Sequence, residues 1–274
     1  VRVTTTVAGR LPSDASASPG GTASLERGIG VIVPYDFALD RELWRWCPDV
    51  ATLHLTRTPH VPLPVGLPQA RAVRAPGAVV QATHDLSTPR PEVVAYACTS
   101  GSFVAGVDGE AALREALTEA GAPAAVTTSG AAVSALQTLG TSRVAVVTPY
   151  DETVTNSLSR FLTEAGLDVV ASGHLGLAGE IWTVPGRVTA DLVRRTVAPD
   201  AEAVFVSCTN LRTYDLLAPL EAELGIPVLS ANQVTLWAAL TAVGLDACGE
   251  GQSLLTRAHP GPGSPRAATP EETP

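Results

Sequence analysis

Short uninterrupted apolar runs alternate along the chain with longer amphipathic stretches. The runs Gly30 to Pro34, Val93 to Ala97, Val144 to Pro149, Val169 to Ser172, Ala203 to Ser207 and Ile226 to Ser230 are rich in β-branched residues. Such runs predict strands of a parallel sheet, buried on both faces. Between them, Ala111 to Gly121, Glu152 to Gly166 and Thr213 to Gly225 read as helices. In the second of these, Val154, Leu158, Phe161 and Leu162 share one face, and the first two end on a glycine suited to the C′ position. The third carries Pro219, which predicts a kink or a break. Alternation of this kind predicts an α/β fold with right-handed crossovers. A leader over 1–26, rich in small and hydroxylated residues, and a Pro- and Gly-rich tail over 249–274 bury little and are expected to be disordered.

The pattern also repeats. Val31 to Trp46 and Val146 to Phe161 both read strand, Pro-Tyr-Asp, helix, at an offset of 115 residues. Val93 to Ser102 and Ala203 to Arg212 both read strand, Cys-Thr, polar turn, at an offset of 110. Two motifs in the same order at nearly one offset predict two homologous α/β halves.

Composition narrows the chemistry. The chain of 274 residues has 18 basic side chains, all of them Arg, against 27 acidic ones, a net charge of −9. The absence of Lys excludes a Walker A lysine, a Schiff-base lysine and a lysine general base. The acidic balance argues against a nucleic-acid partner. No apolar run reaches the ~18 to 20 residues of a membrane span, and the N-terminal stretch lacks the apolar core of a secretory signal. Four Cys spread over the chain fit free thiols in a reducing cytoplasm better than a disulfide framework. The five His show no metal-ligand spacing, and no Gly-x-Gly-x-x-Gly follows a strand, so neither a metal nor a nucleotide cofactor is expected.

Cys98 and Cys208 remain as the candidates for chemistry. Each follows a predicted buried strand, at the carboxyl edge where open α/β sheets bind ligands. Thr99, Ser100, Gly101 and Ser102 follow one, and Thr209 and Asn210 the other. Such turns expose backbone N–H groups that hold an anion and favour the thiolate. A free Cys is also a small hydrophobe at home in a core; the matched placement of these two favours a site. Cys47 and Cys248 lack that context. Tyr150 and Tyr35 close equivalent strands, and a phenol can donate to a carboxylate. Arg212 is a candidate carboxylate clamp, whereas Asp36 and Asp151 are expected to cap helices. Thr127 to Ala132 form a polar turn that lines the site or caps a helix. Two thiols across a small anion suit cofactor-free carbon-acid chemistry: racemisation, cis–trans isomerisation or decarboxylation.

The segments Gly30 to Pro34, Val93 to Gly106, Thr127 to Val154 and Val204 to Leu240 together resemble the aspartate/glutamate racemase superfamily, in the branch of maleate cis–trans isomerases and arylmalonate decarboxylases. The resemblance implies two pseudo-symmetric domains with the active site in the cleft between them, here 27–125 plus 232–248 and 126–231. It implies Cys98 as nucleophile or first acid/base and Cys208 as the opposing proton donor. Pro34, Tyr35, Thr99, Ser100, Tyr150, Thr209 and Arg212 are the substrate-binding candidates. The decarboxylases of the branch carry Gly at the position of Cys98; two cysteines align this chain with the isomerases and racemases. It departs from maleate isomerases at Pro34-Tyr35-Asp36-Phe37, where they resemble Pro-Ser-Ser-Asn, and an acidic Asp36 there repels a second carboxylate. The expected activity is a cofactor-independent isomerase or racemase of a small carboxylate or dicarboxylate. The alternatives are an arylmalonate-type decarboxylase and a non-catalytic carboxylate-binding protein. Self-association into a homo-oligomer is left open. A dithiol redox switch would need the two Cα atoms within about 7 Å.

Overall fold

A computed structural model describes residues 26–258. The expected leader and the end of the expected tail lie outside the described residues, apart from Glu26. Two four-stranded sheets carry the fold. The first contains β1 (Arg27–Val33), β2 (Ala51–Arg57), β3 (Val93–Tyr96) and β4 (Ala125–Thr127), in the order β2-β1-β3-β4. The second contains β5 (Arg143–Thr148), β6 (Asp168–His174), β7 (Ala203–Val206) and β8 (Val228–Ser230), in the order β6-β5-β7-β8. All pairings are parallel. The spatial order is the same in both halves, which bears out two repeated α/β units. Every residue of β3 and β7 is buried, as their uninterrupted apolar character requires.

The helices are α1 (Asp40–Leu43), α2 (Leu67–Val73), α3 (Pro76–Asp85), α4 (Thr99–Phe103), α5 (Gly106–Glu119), α6 (Thr128–Thr138), α7 (Glu152–Glu164), α8 (Gly186–Thr196), α9 (Tyr214–Leu224), α10 (Ala231–Ala242) and α11 (Ser253–Ala258). Local sequence explains several of their ends. Asp151 caps α7 by accepting from the Val154 N–H at 2.8 Å. Thr127 caps α6 and Ser230 caps α10 in the same way, so Thr127 acts as a cap rather than a ligand-lining turn residue. Pro219 sits inside α9 without breaking it; the helix runs through to Gly225, whose φ of 71° provides a left-handed stop.

Two expectations need correction. The tail does not begin at 249. Gln252 is buried and accepts from Trp46 Nε1 and Gln233 Nε2, both at 2.8 Å, and α11 follows with Leu254 in the core. Asp36 does not cap a helix. After Pro34-Tyr35-Asp36 the chain makes a turn, and α1 opens only at Asp40, with no side-chain cap. The echo of the second half is therefore incomplete here, and the Asp36 carboxyl accepts from its own backbone N–H instead of from a helix start.

The halves interlock. α10 leaves the second sheet and packs on β3, β4 and α6. Glu42 of α1 caps the start of α9: one carboxylate oxygen accepts from the Thr213 N–H at 2.8 Å, the Thr213 hydroxyl at 2.9 Å and the Tyr214 N–H at 3.1 Å. Arg45 pairs bidentately with Asp215 at 2.6 and 2.7 Å and stacks over Tyr214. No helix among the described residues is long and apolar enough to cross a membrane.

Candidate active site

The carboxyl ends of β1, β3, β5 and β7 converge on one small cavity. Pro34, Asp36, Gln69, Cys98, Thr99, Ser100, Tyr150, Cys208, Thr209 and Asn210 line it, and Val65 and Ile181 close it. The space open to the centre of a water molecule is about 20 Å³, room for a water or two. Val65 lies on the loop before α2, and its N–H donates to the Ala178 carbonyl of the other half at 2.9 Å. That single hydrogen bond fastens the two halves over the cavity.

Both thiols face this space, and their settings differ. Cys98 has ordinary extended backbone at the start of α4. The Gly101 N–H and the Ser100 hydroxyl, whose Oγ lies 3.9 Å from Sγ, favour its thiolate. Gly101 has to be glycine, because a Cβ there would lie 2.5 Å from the Tyr96 hydroxyl. Burial nonetheless pushes the Cys98 thiol up to about 11, and the Asp36 carboxylate adds to that shift.

Cys208 is held at φ 104°, a left-handed conformation that costs a non-glycine residue about 1–3 kcal/mol. The surroundings enforce it. The Ser207 N–H is tied to the Val147 carbonyl at 2.8 Å, and the Thr209 carbonyl is tied to Asn232 Nδ2 at 2.9 Å. Burial above all, with smaller contributions from Asp36 and Cys98, pushes this thiol up to about 12; the Tyr150 hydroxyl and the Asn210 N–H, which donates to the sulfur at 3.4 Å, act against that rise.

Each thiol has a phenol beside it that favours the thiolate, Tyr96 at Cys98 and Tyr150 at Cys208, and Tyr96 also donates to the Val73 carbonyl at 3.0 Å. Burial places the Tyr150 phenol well above its ordinary range, so it stays a donor. Thr99 presents a hydroxyl that is buried and has no hydrogen-bond partner, beside both a thiol and the cavity. An unpaired buried hydroxyl is costly unless something polar joins it. Asn210 ties the halves together at the floor: its Oδ1 accepts from the Ala38 N–H at 3.0 Å and its Nδ2 donates to the Asp36 carbonyl at 3.1 Å.

Residues 74–256 match the family model of arylmalonate decarboxylase. The arylmalonate decarboxylase of Bordetella bronchiseptica is 34% identical over 170 residues, which span 61% of this chain and 71% of that enzyme. The chain belongs to the arylmalonate decarboxylase family. The maleate isomerase of Nocardia farcinica is 29% identical over 215 residues, 75% of this chain and 84% of that one. Among solved structures, a liganded Gly-to-Cys, Cys-to-Ser double variant of arylmalonate decarboxylase superposes with a TM-score of 0.78 at 30% identity, covering 84% of this chain and 98% of the other. Nocardia farcinica maleate cis–trans isomerase, as a Cys-to-Ser variant with a covalently bound succinylcysteine intermediate, superposes at 0.74 with 26% identity, again over 84% and 98%. The two-sheet architecture is that of these neighbours.

In this family member the structure gathers Pro34, Cys98, Thr99, Ser100, Tyr150, Cys208 and Thr209 at one cavity. Two expected ligands are missing from this set. Tyr35 is not in the lining but stands close to it: its hydroxyl reaches the Leu63 carbonyl at 3.4 Å and Gln69, its ring meets His60 edge-on at 5.1 Å, and burial above all raises its phenol, with Cys98 near enough to help. Arg212 is exposed and lines a separate groove with Arg41, Arg45 and Tyr214. Leu211 and Thr213 on either side of it are buried, so the intervening side chain faces outward. Cys47 and Cys248 lie away from the cavity, beside one another, with the Cys248 N–H donating to the Trp46 carbonyl at 2.8 Å. Gln69 and the inward turn of Asp36 escaped the sequence reading.

Proposed function

We propose that this protein is a cofactor-independent isomerase or racemase of a small carboxylate, with Cys98 and Cys208 as its paired acid and base. The observation that carries this reading is that both thiols line the same cavity, at equivalent strand ends of the two halves, with an unpaired buried hydroxyl from Thr99 beside them. The substrate carboxylate meets Thr99 and the Ser100 and Thr209 turns. One thiolate removes a proton from the carbon beside that carboxylate, or adds to its double bond. The electron pair moves into the carboxylate as an enediolate, which the hydroxyls and backbone N–H groups hold. In racemisation the other thiol delivers a proton from the opposite side; in the adding mode the former double bond rotates as a single bond, and its re-formation breaks the C–S bond and expels the thiolate. A thiol pushed up to about 11 or 12 is a strong base once ionised and keeps its proton at rest, which suits alternation of acid and base roles. The covalently bound succinylcysteine in the Nocardia farcinica isomerase supports the adding mode.

The family match favours decarboxylation as the second reading. There the carboxylate leaves as carbon dioxide and Cys208 protonates the resulting carbanion. Turnover of maleate, phenylmalonate and chiral small carboxylates by wild type, Cys98→Ser and Cys208→Ser separates the two. Loss of at least a hundredfold in both variants supports the two-thiol isomerase. Release of carbon dioxide that survives Cys98→Ser supports the decarboxylase. Full turnover by either variant on every substrate overturns the two-thiol mechanism.

A further inference from the structure

The two halves carry a matching device behind the cavity. In the first half β4 runs into α6, with Thr127 as the cap and Ser129 as the second helical residue. In the second half β8 runs into α10, with Ser230 as the cap and Asn232 as the second helical residue. Both Ser129 and Asn232 are buried, and neither lines the cavity. Each instead reaches the carbonyl of the residue that follows a cavity cysteine. On the Cys98 side the Ser102 hydroxyl donates to the Thr99 carbonyl at 2.8 Å. The Ser129 hydroxyl lies 3.2 Å from the same carbonyl and 2.6 Å from the Ser102 oxygen, which also accepts from the Ser129 N–H at 3.1 Å. On the Cys208 side Asn232 Nδ2 donates to the Thr209 carbonyl at 2.9 Å. The Thr128 and Thr235 hydroxyls meet at 2.8 Å and join α6 to α10, so both ties hang from one frame.

We propose that Ser129 and Asn232 are positioning residues, each holding the turn of one cysteine so that its backbone N–H groups face the sulfur and the substrate carboxylate. Their role rests on the two-thiol reading and adds to it what holds the two turns. A peptide is planar and trans, so its C=O and the following N–H point in opposite directions. Tying the Thr209 carbonyl therefore sends the Asn210 N–H the other way, and it meets the Cys208 sulfur at 3.4 Å. On the other side α4 has only five residues, too few to hold itself rigid. The grip on the Thr99 carbonyl fixes its first turn, from which the Gly101 N–H favours the Cys98 thiolate. Asn232 Oδ1 is buried without a partner. An unpaired buried acceptor is costly, so it is the donor of that amide that the position needs.

The test is the rate of iodoacetamide capture at Cys98 and Cys208 between pH 7 and 10, read by mass spectrometry of the two peptides from the full chain. Maleate, phenylmalonate and alanine are added in turn as protecting carboxylates. Asn232→Leu keeps the bulk and removes the donor. It is expected to slow capture at Cys208 about tenfold and leave Cys98 within about twofold. Ser102→Ala/Ser129→Ala is expected to do the reverse. Capture is read on chains that urea unfolding shows to be folded. Should the double variant not fold, Ser129→Ala alone, which leaves Ser102 on the carbonyl, is expected to slow Cys98 about threefold. A merely structural role loosens the chain around both buried thiols, so faster capture at both in a folded variant overturns the proposal. Rates unchanged in every variant overturn it as well, and leave the two-thiol reading in place if a carboxylate protects both thiols of wild type. Failure of all three carboxylates to protect either thiol of wild type overturns the two-thiol reading and, with it, the role of both residues.

Discussion

Replacing Tyr150 by Phe removes one proton donor and little else. The ring keeps its packing, including its edge contact with Phe103 at 6.3 Å. What is lost is the hydroxyl that donates to the Cys208 sulfur. A hydrogen bond to an ionised group contributes about 1.5–3 kcal/mol. At 1.36 kcal/mol per pKa unit, its loss pushes the Cys208 thiol further up, and at neutral to mildly alkaline pH the thiolate population falls roughly 10- to 100-fold. The assay is the second-order rate of iodoacetamide capture at Cys208 across pH 7 to 10 in a Cys98→Ser background, with and without Tyr150→Phe. The folded chain is expected to keep its stability to within about 1 kcal/mol, since the swap conserves shape. Superimposable capture rates would refute the assignment of Tyr150 as the donor to Cys208. A loss at Cys98 of equal size in the reverse background would refute its selectivity.

Three further outcomes follow from the same contacts. Asn210→Ala strips both hydrogen bonds from the Asp36–Ala38 turn and is expected to cost about 1–3 kcal/mol by urea unfolding, with turnover falling further than stability accounts for. Glu42→Ala leaves the start of α9 without its shared acceptor, at a cost of about 2–4 kcal/mol by the same measurement, because three donors lose a charged partner at once. Stability is also expected to fall at alkaline pH. Both thiols are raised in the folded chain from 9.0, to about 11 and about 12, so stability is intact below pH 9 and declines as pH climbs through 11 to 12. The slope is about 1.4 kcal/mol per pH unit for each thiol, and Cys98→Ala/Cys208→Ala should flatten this limb in melts between pH 8 and 11.

Much of the architecture is legible in the sequence because parallel strands buried on both faces advertise themselves. Val93 to Tyr96 and Ala203 to Val206 are continuous apolar runs, and each is followed one residue later by a cysteine. The strands that escape are of two kinds. β2 lies at a sheet edge and alternates Ala51, Leu53 and Leu55 with polar residues, and β4 is only three residues long. The cysteine pair is legible because duplication repeats its context. What distinguishes the halves is not. Nothing local marks Cys208 for a φ of 104°, since that conformation is imposed by ties to β5 and α10. Nor does a Pro-Tyr-Asp motif say which side chain turns inward. In the second half Asp151 caps a helix and Tyr150 enters the cavity. In the first half the delayed start of α1 puts the half-buried Asp36 in the lining and Tyr35 next to it, beside Gln69. Arg212 misleads for a similar reason: proximity in sequence to Cys208 says nothing of the direction it faces.

The central claim is that Cys98 and Cys208 stand on opposite sides of one substrate carbon. A crystal structure of the Cys208→Ser variant with a bound small carboxylate, alanine or succinate, tests it most directly. The account predicts a carboxylate seated on Thr99 and the Ser100 turn. The adjacent carbon should lie between the Cys98 sulfur and the hydroxyl that the substitution introduces, one on each face. A ligand held elsewhere, or both side chains on the same face of that carbon, would contradict it.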